Sequence, residues 1–189
     1  MLYGFVGTLH DTDCGSIRGN GKTLTMTYYL YQDFLNGRKI MTNYHTTFSQ
    51  KVGVQDIVNM VLNGELKDVS IGIDEIQIVL NSIGTSAKVV NFVDKMVSQT
   101  RKIKADIYYT TQRYGNIHKR LRVQTDRIIR PYKVHRDMKI CRYDMCEKDH
   151  IIMVKSEIPY MNKIRLALDA KKVGVLFNSN EIINEEIKV

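Results

Sequence analysis

A glycine-rich stretch near the N-terminus has the residue types that bind phosphate groups. Residues 15–23 read Gly-Ser-Ile-Arg-Gly-Asn-Gly-Lys-Thr, which matches the second half of a Walker A loop, with Ser16 in place of the usual first glycine. Glycines let successive backbone N–H groups point at phosphate oxygens, a lysine reaches the β- and γ-phosphates, and a threonine hydroxyl binds Mg²⁺. The stretch therefore predicts a nucleotide-binding loop, whose contact residues are Gly19, Asn20, Gly21, Lys22, Thr23 and Leu24.

Two adjacent carboxylates follow an apolar segment later in the chain. Residues 69–75 read Val-Ser-Ile-Gly-Ile-Asp-Glu, the pattern of a Walker B strand with a following glutamate. In this interpretation Asp74 holds Mg²⁺ together with Thr23, and Glu75 orients and deprotonates the attacking water. An Asp-Glu pair at a strand end is common, and it becomes informative here because a Lys-Thr phosphate loop precedes it.

A glutamine ends the next predicted strand. Residues 105–111 are rich in β-branched and aromatic side chains, and Gln112 follows them directly. A polar side chain at this strand end can bridge the γ-phosphate and the attacking water, which would give Gln112 a catalytic sensor role. A loop glutamine that bonds a backbone group is the alternative.

Several arginines surround the predicted sensor strand. ATP hydrolysis needs positive charge at the γ-phosphate, and a neighbouring subunit is one source of that charge. Arg101, at the end of the helix before the sensor strand, is the leading candidate for an arginine finger supplied in trans, with Arg122 and Arg127 as the next choices. Ordinary solvated arginines are the alternative.

The elements that must position these residues alternate between strands and helices. An apolar strand at 2–6 precedes the phosphate loop and a helix at 24–35 follows it, as a Walker A loop requires. Further strands are expected at 39–44, 69–75, 105–111, 126–134, 138–143, 150–154 and 173–177, helices at 54–62, 91–102 and 114–122, and a loop at 85–90. The two strands within 138–154 are expected to form a hairpin, and Pro131 favours an edge position for strand 126–134. We predict one α/β domain over residues 1–189, with a mostly parallel central sheet flanked by helices and extra antiparallel strands towards the C-terminus.

The positive charge of the chain is concentrated in one window. The whole protein carries a net charge of +8, and residues 101–148 hold 14 of its 28 Lys and Arg but only 5 of its 20 Asp and Glu. A basic block in an otherwise neutral chain indicates a polyanionic partner, nucleic acid first, and the predicted DNA contacts are Lys119, Arg120 and Arg122. A solvated basic face is the alternative, because charge alone discriminates weakly.

Composition narrows the remaining classes of protein. Three cysteines form no framework spacing, which fits a reducing compartment better than secretion. No signal peptide or membrane-spanning segment is visible in the sequence. A zinc site was considered for His135, Cys141, Cys146 and His150, but their spacings lack the paired ligands of structural zinc sites.

Together, the phosphate loop, Ile73-Asp74-Glu75, the Thr111-Gln112 strand end and the arginine-rich segment after it resemble the FtsK–HerA superfamily. The resemblance implies a P-loop NTPase fold of the RecA/ASCE type that binds ATP and Mg²⁺. It also implies a hexameric ring that moves double-stranded DNA through its pore. Size and layout are most similar to the genome-packaging ATPases of membrane-containing viruses, including archaeal ones. That similarity implies a capsid or membrane-vertex partner and a place in the host cytoplasm or with the virion.

Three other functions remain open at this point. Residues 173–183 also resemble the final strand and turn of the zonula occludens toxin-like phage assembly ATPases. A small P-loop nucleotide kinase would need a lid and an acceptor pocket, and the Asp74-Glu75 pair with Gln112 is less natural there. A non-catalytic DNA-binding protein would have no need of Lys22, Thr23 and Glu75.

Overall fold

An eight-stranded sheet forms the centre of the molecule. The computed structural model describes residues 1–8, 21–102, 104–133, 151–157 and 164–177. The strands are β1 Leu2–Thr8, β2 Lys39–Thr42, β3 Gln50–Lys51, β4 Val69–Ile73, β5 Asp106–Arg113, β6 Arg127–Lys133, β7 Ile151–Glu157 and β8 Ile164–Asp169. Their order is β3-β2-β4-β5-β1-β6-β7-β8. The first six strands in that order are parallel and the last two are antiparallel, which confirms the predicted mostly parallel sheet with antiparallel strands towards the C-terminus.

Helices cover both faces of this sheet. They are α1 Lys22–Leu35, α2 Val54–Asn63, α3 Ile76–Ile83, α4 Ser86–Lys102, α5 Lys119–Gln124 and α6 Ala170–Gly174, with a 3₁₀ turn at Tyr114–Asn116. One buried cluster joins α2, α3 and α4 to Ile71, Ile73 and Ile107 of the strands. The other joins α1 to Phe5 and Tyr108 on the opposite face. Neighbouring residues of one strand thus belong to different clusters, as the two-residue period of a strand requires.

A close contact brings α1 onto strand β4. A Cβ atom added to Gly72 would lie 2.5 Å from Cδ1 of Leu30 and 3.1 Å from Cγ2 of Thr42. Only a glycine therefore allows α1 to pack this tightly over the strand. The start of α1 and the end of β4 are consequently held close together, and both carry predicted site residues.

Two expected elements have a different structure. The predicted loop at 85–90 is wrong, because α4 begins at Ser86, and Val89 is buried in line with Phe92, Val93 and Met96. The predicted strand at 173–177 is also wrong, because Val173 lies in α6 and only Phe177 forms a bridge, with Thr46. At 85–90 the burial of Val89 extends the apolar face of the helix, and at 173–177 the burial of Val173 in α6 outweighs local β-branched propensity.

Strand β6 is internal, so the predicted edge position is wrong. It lies between β1 and β7 and pairs with β7 from Ile128 to Lys133. Its pairing with β1 extends only from Arg127 to Ile129, so Pro131 lies beyond the last described β1 partner. Proline has no backbone N–H to donate, and no described residue of β1 pairs with β6 at this position, so no β1–β6 hydrogen bond is lost there.

The predicted hairpin at 138–154 is only partly tested. Strand β7 covers most of its second half, but both sides of β7 pair with other strands, β6 and β8, so the expected hairpin pairing is wrong. Residues 138–143 lie outside the described residues, as do the four zinc candidates. Residues 9–20, which include the first part of the phosphate loop, also lie outside them. Among the described residues, no helix combines the length and apolar character needed to cross a membrane.

Candidate nucleotide-binding site

The carboxyl ends of the parallel strands meet at one edge of the sheet, and most of the predicted site residues lie there. Ile73 of β4 pairs with Tyr109 of β5, and Thr42 of β2 pairs with Gly72 of β4. The residues that follow these pairs are therefore neighbours across three strands. In open α/β sheets, ligands bind at this edge.

The start of α1 has the backbone geometry of an anion-binding turn. Gly21 precedes the helix with φ 77° and ψ 25°, a left-handed conformation that glycine adopts without strain. Lys22 and Thr23 are the first helical residues, and the N–H of Thr25 donates the first helical bond to Gly21 O at 2.9 Å. The positive end of the helix dipole therefore faces the sheet edge. Gly19 and Asn20 lie outside the described residues.

Two hydroxyl groups converge on one oxygen of Asp74. Thr23 Oγ1 donates to Asp74 Oδ1 at 2.8 Å, and Thr110 Oγ1 donates to the same oxygen at 2.6 Å. The structure thus joins the two residues predicted to share Mg²⁺. A hydroxyl and a carboxylate side by side supply the oxygen ligands that Mg²⁺ prefers, so this donor set fits the ion.

Asn43 holds the backbone of Asp74 from the neighbouring strand. Its Oδ1 accepts from Asp74 N at 2.7 Å, and its Nδ2 donates to Asp74 O at 2.9 Å. The residue is 4% exposed, so the paired bonds are shielded from water. Neither Asn43 nor Thr110 was predicted as a site residue, although each is a polar residue at the carboxyl end of a parallel strand.

Charge in this part of the site is buried and unevenly balanced. Lys22 is 8% exposed, and burial lowers the pKa of its ammonium group, while the charges of Glu75 and Asp74 oppose that shift. Burial likewise raises the pKa of the Asp74 carboxyl, and the hydrogen bonds from Thr110 and Thr23 oppose that rise. Two carboxylates thus lie beside one buried lysine, and a bound cation would stabilise the ionised carboxylates.

Glu75 is held in an unusual backbone conformation. Its φ of 54° and ψ of 63° are left-handed, a region that costs non-glycine residues about 1–3 kcal/mol. Its N–H donates to Thr110 Oγ1 at 2.8 Å, which fixes the turn between β4 and α3. Gln112 Nε2 donates to Glu75 Oε1 at 3.2 Å. The structure therefore brings the predicted base and the predicted sensor together.

The candidate arginine fingers lie on other parts of the fold. Arg101 is at the C-terminal end of α4, just before the start of β5, and its side chain is outside the described residues. Arg127 begins β6, where its guanidinium lies 5.8 Å from the ring centroid of Tyr3. Both positions are at the amino-terminal edge of the sheet, opposite the site. Arg122 is on α5, with a buried Nε that has no hydrogen-bond partner among the described residues.

The predicted DNA contacts share the short helix α5. Lys119 and Arg120 are exposed there. The guanidinium of Arg120 already forms a two-point ion pair with Asp94 of α4, at 2.8 and 3.1 Å. Water screens an exposed ion pair of this kind, so Asp94 competes only weakly with a phosphate for Arg120.

The order of the strands assigns the fold. Strand β5 lies between β1, which precedes the phosphate loop, and β4, which precedes Asp74. This insertion, with parallel strands and flanking helices, is the P-loop NTPase fold of the RecA/ASCE type. No family model and no curated protein matches the chain.

Solved structures with the same fold include proteins of the groups that the sequence resembles. The N-terminal domain of zonular occludens toxin from Neisseria meningitidis gives a TM-score of 0.57 at 18% identity, over 94% of this chain and 98% of that one. The genome-packaging NTPase B204 of Sulfolobus turreted icosahedral virus 2 gives 0.50 at 15% identity, over 85% and 98%. The pCW3 conjugation coupling protein TcpA gives 0.54 at 11% identity, over 91% of this chain and 64% of that one. At these identities the comparisons show a common fold.

Proposed function

We propose that this protein is a Mg²⁺-dependent ATPase that translocates double-stranded DNA and packages a viral genome into a preformed capsid. One observation carries the ATPase assignment. The start of α1 and the ends of β4 and β5 are joined by hydrogen bonds from Thr23 and Thr110 to Asp74, and from Gln112 to Glu75. A phosphate-binding helix start, an oxygen site for a cation and a carboxylate base thus occupy one sheet edge.

Each of these groups has a distinct part in hydrolysis. Lys22 neutralises charge on the β- and γ-phosphates, and Thr23 and Asp74 would hold Mg²⁺. When bound, Mg²⁺ would neutralise phosphate charge that develops in the transition state. Glu75 takes a proton from the attacking water, and Gln112 orients that water and the carboxylate. Two structural relatives were solved with an ATP analogue, B204 and TcpA, which supports ATP as the substrate.

The motor function is supported by charge and by the kind of relative found. The net charge of +8 and the exposed basic side chains of α5 suit contact with the DNA backbone, which carries no sequence information. We expect a hexameric ring with Lys119, Arg120 and Arg122 towards its pore, and an arginine from one subunit at the site of the next. The ring would dock on a capsid or membrane-vertex protein, in the host cytoplasm or on the virion.

An ATPase assay with and without duplex DNA tests this proposal. We expect Mg²⁺-dependent phosphate release that duplex DNA stimulates, because a motor couples hydrolysis to its track. Nucleoside monophosphates should not be phosphorylated. Efficient transfer to a monophosphate, with no effect of DNA, would instead identify a small nucleotide kinase.

A phage assembly ATPase of the zonula occludens toxin-like type is the second candidate. It is favoured by the TM-score of 0.57 and by coverage of nearly all of both chains, against 0.50 for the packaging NTPase. The two candidates share the ATPase site and differ in the DNA requirement. Activity that duplex DNA leaves unchanged, but that phage assembly proteins stimulate, would support this second function.

A further inference from the structure

The carboxylate of Glu75 is held by amide groups on both of its oxygens. Gln112 Nε2 donates to Oε1 at 3.2 Å, and Gln77 Nε2 donates to Oε2. The two glutamines come from different elements, β5 and α3. A carboxylate with one donor can rotate about its side-chain bonds, whereas donors on both oxygens fix its plane.

The amide of Gln77 has a defined orientation. An ionised carboxylate only accepts hydrogen bonds, so the Gln77 nitrogen must face Glu75 and the oxygen must face away. That oxygen, Oε1, is buried and has no hydrogen-bond partner among the described residues. A surface glutamine would avoid this unfavourable arrangement by turning its amide to water. The contact with Glu75 is therefore kept at the cost of an unpaired carbonyl oxygen.

Gln77 is also mounted on a rigid support. It lies in the first turn of α3, whose Ile76 and Val79 are fully buried against the sheet. The backbone of Glu75 is fixed by its left-handed turn and by the bond to Thr110. With both backbones fixed, the side-chain amide of Gln77 limits where the Glu75 carboxylate can go.

We propose that Gln77 is a positioning residue that, with Gln112, fixes the Glu75 carboxylate in the orientation that accepts a proton from the attacking water. This inference rests on the proposed ATPase function. Misplacing a catalytic group by about 1 Å can reduce turnover about 100-fold, so loss of one of two orienting bonds should be measurable. Nucleotide binding should not change, because Gln77 acts on Glu75 and not on the phosphates.

The test compares kcat, KM and nucleotide affinity of the full chain for five variants. Gln77→Met keeps the side-chain length and removes the amide, and Gln77→Glu keeps the shape but places a second carboxylate beside Glu75. Asn81→Ala, on the exposed side of the same helix, is the matched control. Glu75→Gln is made alone and combined with Gln77→Met, and thermal melting checks the folding of every variant.

We expect kcat to fall about 10-fold or more in Gln77→Met and further in Gln77→Glu, with KM and nucleotide affinity within twofold of wild type. The control should behave as wild type. In the Glu75→Gln background, Gln77→Met should have no additional effect, because the residue acts through Glu75.

Three results would overturn the inference in distinguishable ways. If the wild type fails to hydrolyse ATP, the proposed function falls and the role of Gln77 falls with it. If the wild type is active but both Gln77 variants keep its kcat, or exceed it, only the positioning role is wrong. A further loss of activity on adding Gln77→Met to Glu75→Gln would indicate a structural role instead.

Discussion

At the residue scale, the site places the buried ammonium group of Lys22 beside the carboxylates of Asp74 and Glu75. The ammonium group attracts a phosphate, whereas the carboxylates attract a metal cation. Lys22 lies with its charge largely removed from water, where it interacts with Asp74 and Glu75. A phosphate group brought to this position meets the lysine and the start of α1. The carboxylates would repel the phosphate unless a divalent cation lay between them.

Substitutions of Lys22 and Glu75 should separate binding from chemistry. We expect Lys22→Ala to lose nucleotide binding, because the lysine neutralises phosphate charge in both the ground state and the transition state. Glu75→Gln should bind nucleotide normally and lose about 10²–10⁴-fold in turnover, because the glutamate acts on the water alone. Equilibrium binding and phosphate release measure the two effects. Wild-type turnover by Glu75→Gln would rule out the assignment of Glu75 as the base.

The sequence identifies some residues of this site better than others. Lys22 and Thr23 follow glycines, and Asp74 and Glu75 end an apolar run, so their spacing carries the prediction. Asn43 and Gln77 are single polar residues with no spacing signal of their own. Their contacts depend on the register between β2 and β4 and on the turn at Glu75, which only the folded chain defines.

At the element scale, the contact between α1 and β4 positions the two halves of the site. α1 carries the proposed phosphate-binding residues at its start, and Leu30 in its middle lies over Gly72. The hydroxyl of Thr27 in the same helix bonds the hydroxyl of buried Tyr44 at 2.9 Å. The helix is therefore fixed over the sheet by apolar packing and by a buried polar contact.

The variant Gly72→Ala tests this packing. The added methyl would overlap Leu30 and crowd Thr42, so we expect a loss of about 1–3 kcal/mol in the free energy of unfolding. Gly115→Ala is the matched control, because a Cβ at that position has no neighbour within 4 Å. Denaturant titration measures both variants. Equal stability of the two would show that α1 shifts to accommodate the methyl without cost.

The sequence predicted most of the longer elements up to β6, but it predicted neither α3 nor β8, and it placed a strand where α6 lies. Periodic apolar residues located α1, α2 and the strands β4 and β5 with little error. The predicted helix start at residue 91 is too late because β-branched Val89 and Val90 weaken the local helical signal, and the burial of Val89 becomes evident only when α4 packs on the sheet. Pro131 was misread for a similar reason, since its strand is internal but loses its β1 partner before the proline.

At the scale of the whole molecule, the basic helix α5 follows closely along the chain after the strand that carries Gln112. α5 follows β5, and its His118 cap accepts the N–H of Arg120 at 3.2 Å, so the helix presents its basic residues in a fixed direction. Its position in the chain, directly after Gln112 and the 3₁₀ turn, connects it to the predicted sensor strand. A DNA contact at α5 would therefore be separated from Gln112 of the nucleotide site only by residues 113–118.

Neutralising Lys119, Arg120 and Arg122 should weaken duplex binding equally across sequences and flatten its salt dependence. Each lost phosphate contact lowers the slope of log K against log salt by roughly one unit. A variant that neutralises the three exposed lysines Lys39, Lys67 and Lys104 serves as the control for net charge. Filter binding over a range of salt concentrations provides the slopes. A change in sequence preference with an intact slope would contradict a backbone-binding role.

Mixing two inactive variants tests whether sites are shared between subunits. Lys22→Ala removes the phosphate contact, and Arg101→Ala removes the leading candidate for the trans arginine, a group worth about 10³-fold or more in turnover. We expect each variant to be inactive alone and activity to return on mixing, because some interfaces then contain both intact groups. Normal hydrolysis by Arg101→Ala assembled on DNA would place the arginine elsewhere, with Arg122 and Arg127 tested next.

The position of Arg101 and Arg127 at the amino-terminal edge of the sheet has a geometric consequence. A strand of five residues, such as β4, is about 17 Å long, farther than an arginine side chain extends from one edge to the other. Neither arginine can therefore serve the site of its own chain. If Arg101 or Arg127 is the trans arginine of the proposed ring, the amino-terminal edge of one sheet faces the carboxyl edge of the next, a head-to-tail contact that gives the circle a direction. A subunit that lacks both Lys22 and the trans arginine would then inactivate two sites, its own and that of one neighbour. The neighbour on the other side would stay active.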